Sequence, residues 1–537
     1  MVRGNNFGAA LQKFPSASTP GYTLYMKKIS GLILILILTG CSAQSDPVAP
    51  ASDAVTNTVI GTNDVHGDLL PAPNKGGLAI FSGYVEAMRA ARADDGAVLL
   101  IDAGDMWQGT LESNLVEGKS VVDAYNAMDY TAVTIGNHEF DFGPVGENAI
   151  PANDDEDPRG ALKARARQSE FPVLTANIMN SDTGELVEWD NVSPSVMVDA
   201  AGIKVGIIGL VTFNALQVTA TGNTVGLEIA PLAEAAIAEA EKLREYGAAI
   251  VIITAHAGGS CLELDDPDDT SSCRPNSEIM RLAHDLPDGL VDLIVAGHVH
   301  EPMAHNVNGI AVVSAFSNTR AFDRVDISVD PSTGAILQRE IFPPQLNCPA
   351  RNRESGDCEW LERDPAIVEP PVYEGTVVTP TAEVQAIIDA AVAHTEAIKS
   401  EPLGVYLEDP FIRDNTPESA IARLFTDAIL EEVDADISIH NTSGGIRADL
   451  QPGPLTYGDI YQISPFDNQV VILELSGADV RRIMAAQATN VGRRAGFSGM
   501  QVYVSCAAGE PSIKMVLNDG REIQDNDRIL VLRCSFA

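Results

Sequence analysis

Aspartate, asparagine and histidine side chains stand at the ends of several apolar segments of this chain. Asp64 and His66 follow one such run at 58–60, and Asp105 follows another at 98–101. Because buried strands deliver the residues after them to one edge of a sheet, we expect these side chains to converge. Carboxylate, amide and imidazole groups together suit Zn, Mn, Fe or Co. The candidate metal ligands are Asp64, His66, Asp105, Asn137, His256, His298 and His300.

The spacing of these residues fits a pair of divalent ions. Asp64 and His66 are two residues apart, so in extended backbone both side chains leave on one side and can bind one ion. Asp105 has two carboxylate oxygens and no competing base nearby, which fits it to bridge two ions. His298 and His300 repeat the two-residue spacing, and on a turn each can serve a different ion.

Each motif is weak when taken alone. A Gly-Asp pair after a strand is a common turn, and a lone histidine is more often a structural residue than a ligand. Asn137 adds a neutral amide oxygen where a further carboxylate would over-charge the cluster. The metal hypothesis therefore depends on the conjunction of all the segments within one domain. The histidines interpreted as structural are His284, His305, His394 and His440.

Two longer segments give the chain a family resemblance. Segments 136–141 (Gly-Asn-His-Glu-Phe-Asp) and 444–447 (Gly-Gly-Ile-Arg), with the motifs above, resemble those of bacterial periplasmic 5′-nucleotidases. Relatives in this calcineurin-like metallophosphoesterase group include UDP-sugar hydrolases and 2′,3′-cyclic-nucleotide phosphodiesterases. The resemblance covers about residues 57–535. It implies an α/β fold: a four-layer αββα sandwich followed by a smaller α/β substrate-recognition domain.

The resemblance also implies a site with two divalent metal ions (Zn, Mn, Co or Fe). It places one ion on Asp64, His66, Asp105 and His300. It places the second ion on Asp105, Asn137, His256 and His298. His138 matches the catalytic histidine of the family and Asp141 its support, and an Asp three residues away can hold and polarise an imidazole. The implied reaction is phosphate ester hydrolysis by metal-activated water.

In the family, the second domain recognises the nucleoside through arginine and two aromatic rings. Arg447 matches the phosphate-binding arginine, and Phe466 is the candidate for the first ring. Phe497 is the candidate for the second ring, although the family pattern around it is only partly present. Pro417 stands where relatives carry a further arginine, so Arg413 and Arg423 are the candidate substitutes.

The order of apolar and polar segments predicts two domains. Strand and helix patterns alternate over 57–345, which favours helices packed either on one central sheet or on two sheets face to face. Residues 346–400 are interpreted as a linker with a helix at 384–398, and 401–537 as the second domain. By the family pattern its end is truncated or altered. Strands are predicted at 98–101, 132–135, 173–175, 203–211, 249–254, 292–296, 310–313, 436–439 and 470–475. Helices are predicted at 78–88, 232–243, 418–433 and from 478, with a Gly-rich turn at 443–445.

The amino-terminal segment predicts export. Residues 26–41 combine lysines, a short apolar run and small residues, and they resemble a lipoprotein signal peptide with lipid on Cys41. Residues 1–25 match no targeting pattern and are interpreted as a mis-called extension, and 42–56 as a tether. We expect the periplasmic face of the outer membrane, the soluble periplasm or the cell surface. Expected disulfides are Cys261 with Cys273, Cys348 with Cys358 and, third, Cys506 with Cys534.

Composition limits the partners. The 75 acidic residues against 35 basic ones give a formal charge of −40, which argues against a nucleic-acid polymer. We therefore expect a monomer that acts on a small nucleotide and meets the membrane only through its lipid anchor. The leading hypothesis is a 5′-nucleotidase. The alternatives are a 2′,3′-cyclic-nucleotide phosphodiesterase/3′-nucleotidase, a UDP-sugar hydrolase and, in another class, a non-catalytic surface binding lipoprotein.

Overall fold

The computed structural model describes most of the chain after the predicted tether. The described residues are 54–413, 419–466, 468–489, 495–505 and 512–535. The predicted signal peptide, the lipidation candidate Cys41 and the third-disulfide candidate Cys506 lie outside them. Within the described ranges, no helix combines the length and apolar character needed to cross a bilayer.

Two mixed β-sheets form the first domain. The strands of one sheet, in spatial order, are Ile336–Leu346, Ala321–Val329, Val55–Thr62, Gly96–Asp102, Ala132–Thr134, Val173–Leu174 and Val192–Ser193. Those of the other sheet are Met303–Val307, Ile310–Ser314, Leu293–Ala296, Ile250–His256, Ile203–Val211 and Ser195–Ala200. The predicted strands of this domain are all present; one, at 203–211, has the predicted bounds, and the bounds of the others differ by at most three residues.

The two sheets pack face to face between outer helices. Alternate side chains of a strand point to opposite faces, so Val59 packs between the sheets with Ile252 while Ile60 contacts an outer helical layer. Helices on the outer face of the first sheet are Leu78–Arg92, Lys119–Ala127 and Gly160–Gln168; those on the second sheet are Leu232–Glu245 and Glu278–Asp285. The four-layer αββα prediction is confirmed, and of the two arrangements left open, the structure has the paired sheets.

The carboxyl ends of the central parallel strands meet at one edge. Thr62 is in register with Asp102 in the first sheet, and Val211 with His256 in the second. Thr254 Oγ1 donates to the carbonyl of Asp102 at 2.7 Å, which joins the ends of the two sheets. The loops that follow these strands therefore open into the same space.

Some bounds differ from the sequence predictions. The first strand begins at Val55, inside the predicted tether 42–56. The antiparallel strands Ala321–Val329 and Ile336–Leu346, which return the chain to that first strand, were not predicted. The predicted linker 346–400 contains short paired strands and the helix Ala382–Lys399.

A smaller α/β domain follows. Its main sheet runs Gln469–Ser476, Arg528–Ser535, Ile437–Asn441 and Ala495–Ser498, with helices Ala420–Glu432, Tyr457–Ile463 and Gly477–Thr489. The predicted turn at 443–445 was wrong, because the short helix Thr442–Gly445 occupies this segment. Two predicted disulfides are confirmed, Cys261–Cys273 and Cys348–Cys358.

Candidate active site

Asp64, His66 and His300 form one group of converging side chains. His66 Nε2 lies 3.1 Å from His300 Nε2, which in turn lies 3.2 Å from Asp64 Oδ1. The Nδ1 of His66 lies 3.0 Å from the carbonyl of Gln108 and donates to it. Because that bond places the proton on Nδ1, the Nε2 lone pair of His66 points into the group.

The two oxygens of Asp64 have different surroundings. Oδ2 accepts from Asn63 Nδ2 at 2.7 Å and from the backbone N–H of His298 at 2.8 Å. Oδ1 is buried without a hydrogen-bond donor among the described residues. A buried carboxylate oxygen without a donor is costly, whereas a cation beside it would compensate its charge.

Asp105, Asn137, His256 and His298 form the second group. His256 Nε2 lies 3.0 Å from Asp105 Oδ2, 3.1 Å from Asn137 Oδ1 and 3.2 Å from His298 Nδ1. Its Nδ1 donates to the carbonyl of Ala103 at 2.8 Å. Nε2 is therefore the ring nitrogen that faces the other three side chains.

The donor atoms of both groups fit divalent ions. Ligand atoms about 2.0–2.1 Å from a tetrahedral zinc stand roughly 3.3 Å apart, close to the separations found here. The atoms of each three-residue group, Asp64 with His66 and His300 or Asp105 with His256 and His298, all lie within 4.8 Å of one another. Oxygen and nitrogen lone pairs that converge at this distance repel one another unless a proton or a metal cation lies between them.

The backbone of the ligand loops is strained. Asp64, His66, Asp105, His298 and His300 have φ values of 48°, 51°, 57°, 73° and 63°. A non-glycine residue in this region costs about 1–3 kcal/mol and persists where the surrounding structure holds it. Such strain is commonly concentrated at functional sites.

Glu139 holds two of the ligand loops together, a role that its position in segment 136–141 did not reveal. Its carboxylate accepts from the backbone N–H groups of Asp105 at 2.9 Å, Met106 at 2.8 Å and Gly136 at 2.6 Å. A Cβ on Gly136 would lie 2.2 Å from Asp105 Oδ1, so the close approach requires glycine there. Only the fold brings these amides to one carboxylate.

His138 is buried beside the second group. Its Nδ1 lies 2.5 Å from Asp141 Oδ2, and Thr219 Oγ1 donates to the other oxygen of Asp141 at 2.8 Å. Its Nε2 lies 4.0 Å from Asp105 Oδ2. The backbone N–H of His138 donates to Asp105 Oδ1 at 2.8 Å, which leaves Oδ2 of Asp105 facing the imidazoles.

Charges within the site favour a cation. Burial alone would raise the pKa of Asp64, yet the neighbouring His300 keeps that pKa below its usual range. Burial opposes protonation of His256, but Asp105 raises its pKa to about 10. Burial and the nearby His256 lower the pKa of His298 to about 4, which keeps this imidazole neutral and able to bind a metal.

The second domain brings an arginine and a ring to the same cavity. The Phe466 ring stacks on His138, with centroids 5.6 Å apart and planes inclined by 24°. The guanidinium of Arg447 lies 5.0 Å from the Phe466 centroid. Burial and the neighbouring Arg413 lower the pKa of Arg447, so two guanidinium groups lie near each other. The cavity encloses about 1570 Å³ and is lined in part by His66, Asp105, Asn137, His138, His298, His300, Arg413, Arg447 and Phe466.

Phe497 is placed differently from the sequence prediction. It lies on the strand Ala495–Ser498, in register with Ile439, and packs against the core of the second domain. It is not among the described residues that line the cavity. The structure thus places Phe497 against the core of the second domain and Phe466 beside the cavity.

Comparison with known proteins agrees with this arrangement. The calcineurin-like phosphoesterase profile matches residues 58–302, and the profile of the 5′-nucleotidase C-terminal domain matches residues 393–536. The chain combines a calcineurin-like phosphoesterase domain with a 5′-nucleotidase C-terminal domain.

The chain spans different shares of its curated relatives. The chain is 27% identical over 81% of its length to Endonuclease YhcR of Bacillus subtilis, of which it spans 32%. It is 24% identical over 90% of its length to a 5′-nucleotidase of Vibrio cholerae, of which it spans 85%. A 5′-nucleotidase precursor from Thermus thermophilus shares the fold, with a TM-score of 0.66, 21% identity and coverage of 90% and 89% of the two chains.

The ranges matched by the two profiles differ from the domain limits that were predicted from the sequence. The first match ends at residue 302, just after His300, yet the strands Ala321–Val329 and Ile336–Leu346 complete the same sheet. The second match begins at residue 393, inside the helix Ala382–Lys399 and therefore inside the predicted linker.

Proposed function

We propose that this chain is a dinuclear metal phosphoesterase that hydrolyses nucleotides to nucleoside and phosphate. The observation that carries the proposal is the convergence of imidazole, carboxylate and amide lone pairs in two groups that meet at Asp105. His66 and His256 each donate Nδ1–H to a backbone carbonyl, which leaves Nε2 as the ring nitrogen that a metal ion would take. Histidines that bind a metal usually donate the N–H of the other ring nitrogen to a carbonyl or a carboxylate, as these two residues do.

Two ions are assigned to these residues. Asp64, His66 and His300 would hold the first ion, and His256, His298 and Asn137 would hold the second. Asp105 would be shared; its Oδ1 accepts the N–H of His138, which leaves Oδ2 facing the imidazoles. Divalent ions in these positions supply Lewis acidity, which activates water and polarises phosphoryl oxygens.

His138 acts on the phosphoryl group. Asp141 accepts the proton of His138 Nδ1 and holds the ring, and Nε2 lies on the side of the shared Asp105, 4.0 Å from its Oδ2. Protonated Nε2 donates to a phosphoryl oxygen, where negative charge grows in the transition state, or to the departing oxygen. Asp141 favours this protonated form, because the negative carboxylate opposes the effect of burial on the His138 pKa and raises it.

Arg447 and Phe466 position the nucleotide. A guanidinium offers paired donors that match two oxygens of a phosphate. Phe466 provides an apolar ring next to this cation, and Arg413 adds a second positive charge to the cavity. In a protein with a formal charge of −40, these cations give the cavity a local attraction for anions.

Removal and restoration of metal test the proposal. The protein is dialysed against EDTA, divided, and reloaded with Mn²⁺, Zn²⁺ or Co²⁺, and phosphate release from AMP is followed. We expect activity to disappear with EDTA and to return with at least one ion. Activity that is unchanged by EDTA would overturn the metal mechanism. Binding of AMP without turnover in every reloaded sample would favour the non-catalytic lipoprotein.

A substrate panel separates the enzyme alternatives. Rates on AMP, 2′,3′-cyclic AMP and UDP-glucose are compared on the same reloaded protein. We expect the largest kcat/KM for AMP. A preference for the cyclic ester or for the sugar nucleotide would move the assignment to the corresponding phosphodiesterase or hydrolase.

We further propose export and lipid anchoring at Cys41, with the mature protein acting as a monomer. The two disulfides support an oxidising compartment. Replacing Cys41 with Ser in the full chain should release the protein from the membrane fraction, and unchanged membrane association would reject the anchor.

A further inference from the structure

Gln108 lies between the metal site and the second domain. It is 2% exposed and follows the strand that leads to Asp105. Its backbone carbonyl accepts the Nδ1 proton of His66, and its side-chain Nε2 donates to the carbonyl of Pro465. One residue thus contacts both a candidate metal ligand and the segment that carries Phe466.

The orientation of the Gln108 amide is determined by these contacts. Pro465 offers only a carbonyl oxygen, so Nε2 must face it and Oε1 must face away. Oε1 is buried and has no hydrogen-bond donor among the described residues, although Gln108 lines the cavity. A buried acceptor without a donor is unfavourable, and a ligand that supplies the donor removes this cost.

Asn114 holds the same carbonyl but has no spare acceptor. Its Nδ2 donates to the carbonyl of Pro465 at 3.0 Å and to Tyr461 Oη at 2.8 Å. Its Oδ1 accepts from the backbone N–H of Gly109 at 2.9 Å. Asn114 is therefore a natural control, since it shares the anchoring contact of Gln108 but its side-chain oxygen already has a donor.

We propose that Gln108 is a specificity-determining residue, whose Oε1 accepts a hydrogen bond from a hydroxyl or amino group on the leaving-group side of the substrate. The proposal rests on the proposed phosphoesterase function and names the chemistry that this site selects. Phe466 stacks on His138, and the carbonyl before it is held by Gln108. A sugar that lies between the phosphate and a stacked base meets this acceptor.

The test compares Gln108→Met with Asn114→Ala. Methionine is close to glutamine in size and removes both polar atoms of the amide, whereas the backbone carbonyl that holds His66 remains. AMP is compared with 4-nitrophenyl phosphate, whose leaving group offers no hydroxyl or amino donor. For Gln108→Met we expect kcat/KM for AMP to fall about tenfold relative to kcat/KM for the nitrophenyl ester, the effect of one lost hydrogen bond. For Asn114→Ala we expect both values to fall by the same factor.

A binding measurement distinguishes a failure of the role proposed for Gln108 from a failure of the proposed enzymatic function. The ligand is the phosphonate analogue of AMP, in which a methylene group replaces the 5′ oxygen. Its binding to metal-loaded wild type and to metal-loaded Gln108→Met is measured by titration calorimetry. We expect about tenfold weaker binding to the variant at equal metal content. An unchanged ratio of the two substrates together with unchanged affinity would overturn the role of Gln108, as would an equally selective loss in Asn114→Ala. If wild type binds the analogue but hydrolyses neither ester, the proposed function fails while the role of Gln108 in binding is still measured.

Discussion

His66 and His300 approach each other through their Nε2 atoms, which lie 3.1 Å apart. The two residues are separated by 234 positions in the sequence and reach the site from different sheets. The carbonyl of Gln108 takes the Nδ1 proton of His66, so the facing Nε2 is a ready metal ligand. This contact joins the carboxyl edges of the two sheets at one candidate ion.

His300→Ala should remove one ion and keep the other. Asp64, His66 and the shared Asp105 would hold the first ion more weakly, whereas His256, His298 and Asn137 are untouched. We expect metal content, measured by plasma mass spectrometry after dialysis, to fall by about one equivalent per chain, and kcat to fall on the order of 100-fold.

The control for that variant is His284→Ala, because His284 is exposed on the helix Glu278–Asp285 and outside both ligand groups. Its metal content should equal that of wild type. Equal metal content in His300→Ala and wild type would remove His300 from the ligand set.

His138→Ala should retain metal and lose turnover. The imidazole is not a member of either ligand group, and its Nε2 lies 4.0 Å from the shared Asp105 oxygen. A missing proton donor lowers kcat roughly 10²–10⁴-fold. Loss of metal in this variant, measured beside kcat, would instead make His138 a ligand.

Arg447→Lys should weaken nucleotide binding although it keeps the charge. Lysine cannot reproduce the paired donors of a guanidinium, and it stacks less well on Phe466. We expect the Kd of the phosphonate analogue to rise about tenfold, with metal content unchanged. Arg482→Lys, on an exposed arginine of the helix Gly477–Thr489, serves as the control. Equal affinity in both variants would exclude Arg447 from binding.

Asp102 should make stability depend on pH. It accepts hydrogen bonds from Thr62 at 2.6 Å and Tyr125 at 2.9 Å, yet burial raises its pKa to about 8 from 3.8. The folded state therefore retains a proton that the unfolded chain releases above pH 4. The contribution of this group to stability is complete below about pH 4 and is lost as pH rises toward 8.

Asp102→Asn should flatten that dependence. Asparagine is neutral, so between pH 4 and 8 the free energy of unfolding of the variant should decline less, and at pH 8 the variant should exceed wild type by roughly 1–3 kcal/mol. Urea unfolding of metal-free samples across this range gives the comparison. A parallel decline in both proteins would show that Asp102 does not titrate as argued.

The convergence of the candidate ligand residues could be predicted from the sequence because the signal is local. Each lies just after a short apolar strand, and parallel strands bring their following loops to one edge, as Asp64, Asp105 and His298 show. The antiparallel strands Ala321–Val329 and Ile336–Leu346 could not be predicted in the same way. Their pairing with the first strand is a contact between distant parts of the chain.

The contacts that support the site could not be predicted from the sequence either. Glu139 and Gln108 act through backbone groups, whose positions depend on loop conformation and not on residue type. The environment of Phe497 could not be predicted either, because a pattern identifies a ring but not the face of the strand it occupies, and a shift of one residue reverses that face.

Anomalous diffraction from crystals of the manganese-loaded protein tests the central claim most directly. We expect two peaks per chain, about 3.5–4 Å apart, with Asp105 Oδ2 between them and the Nε2 atoms of His66 and His256 on separate ions. A single peak, or two peaks without Asp105 between them, would contradict the account.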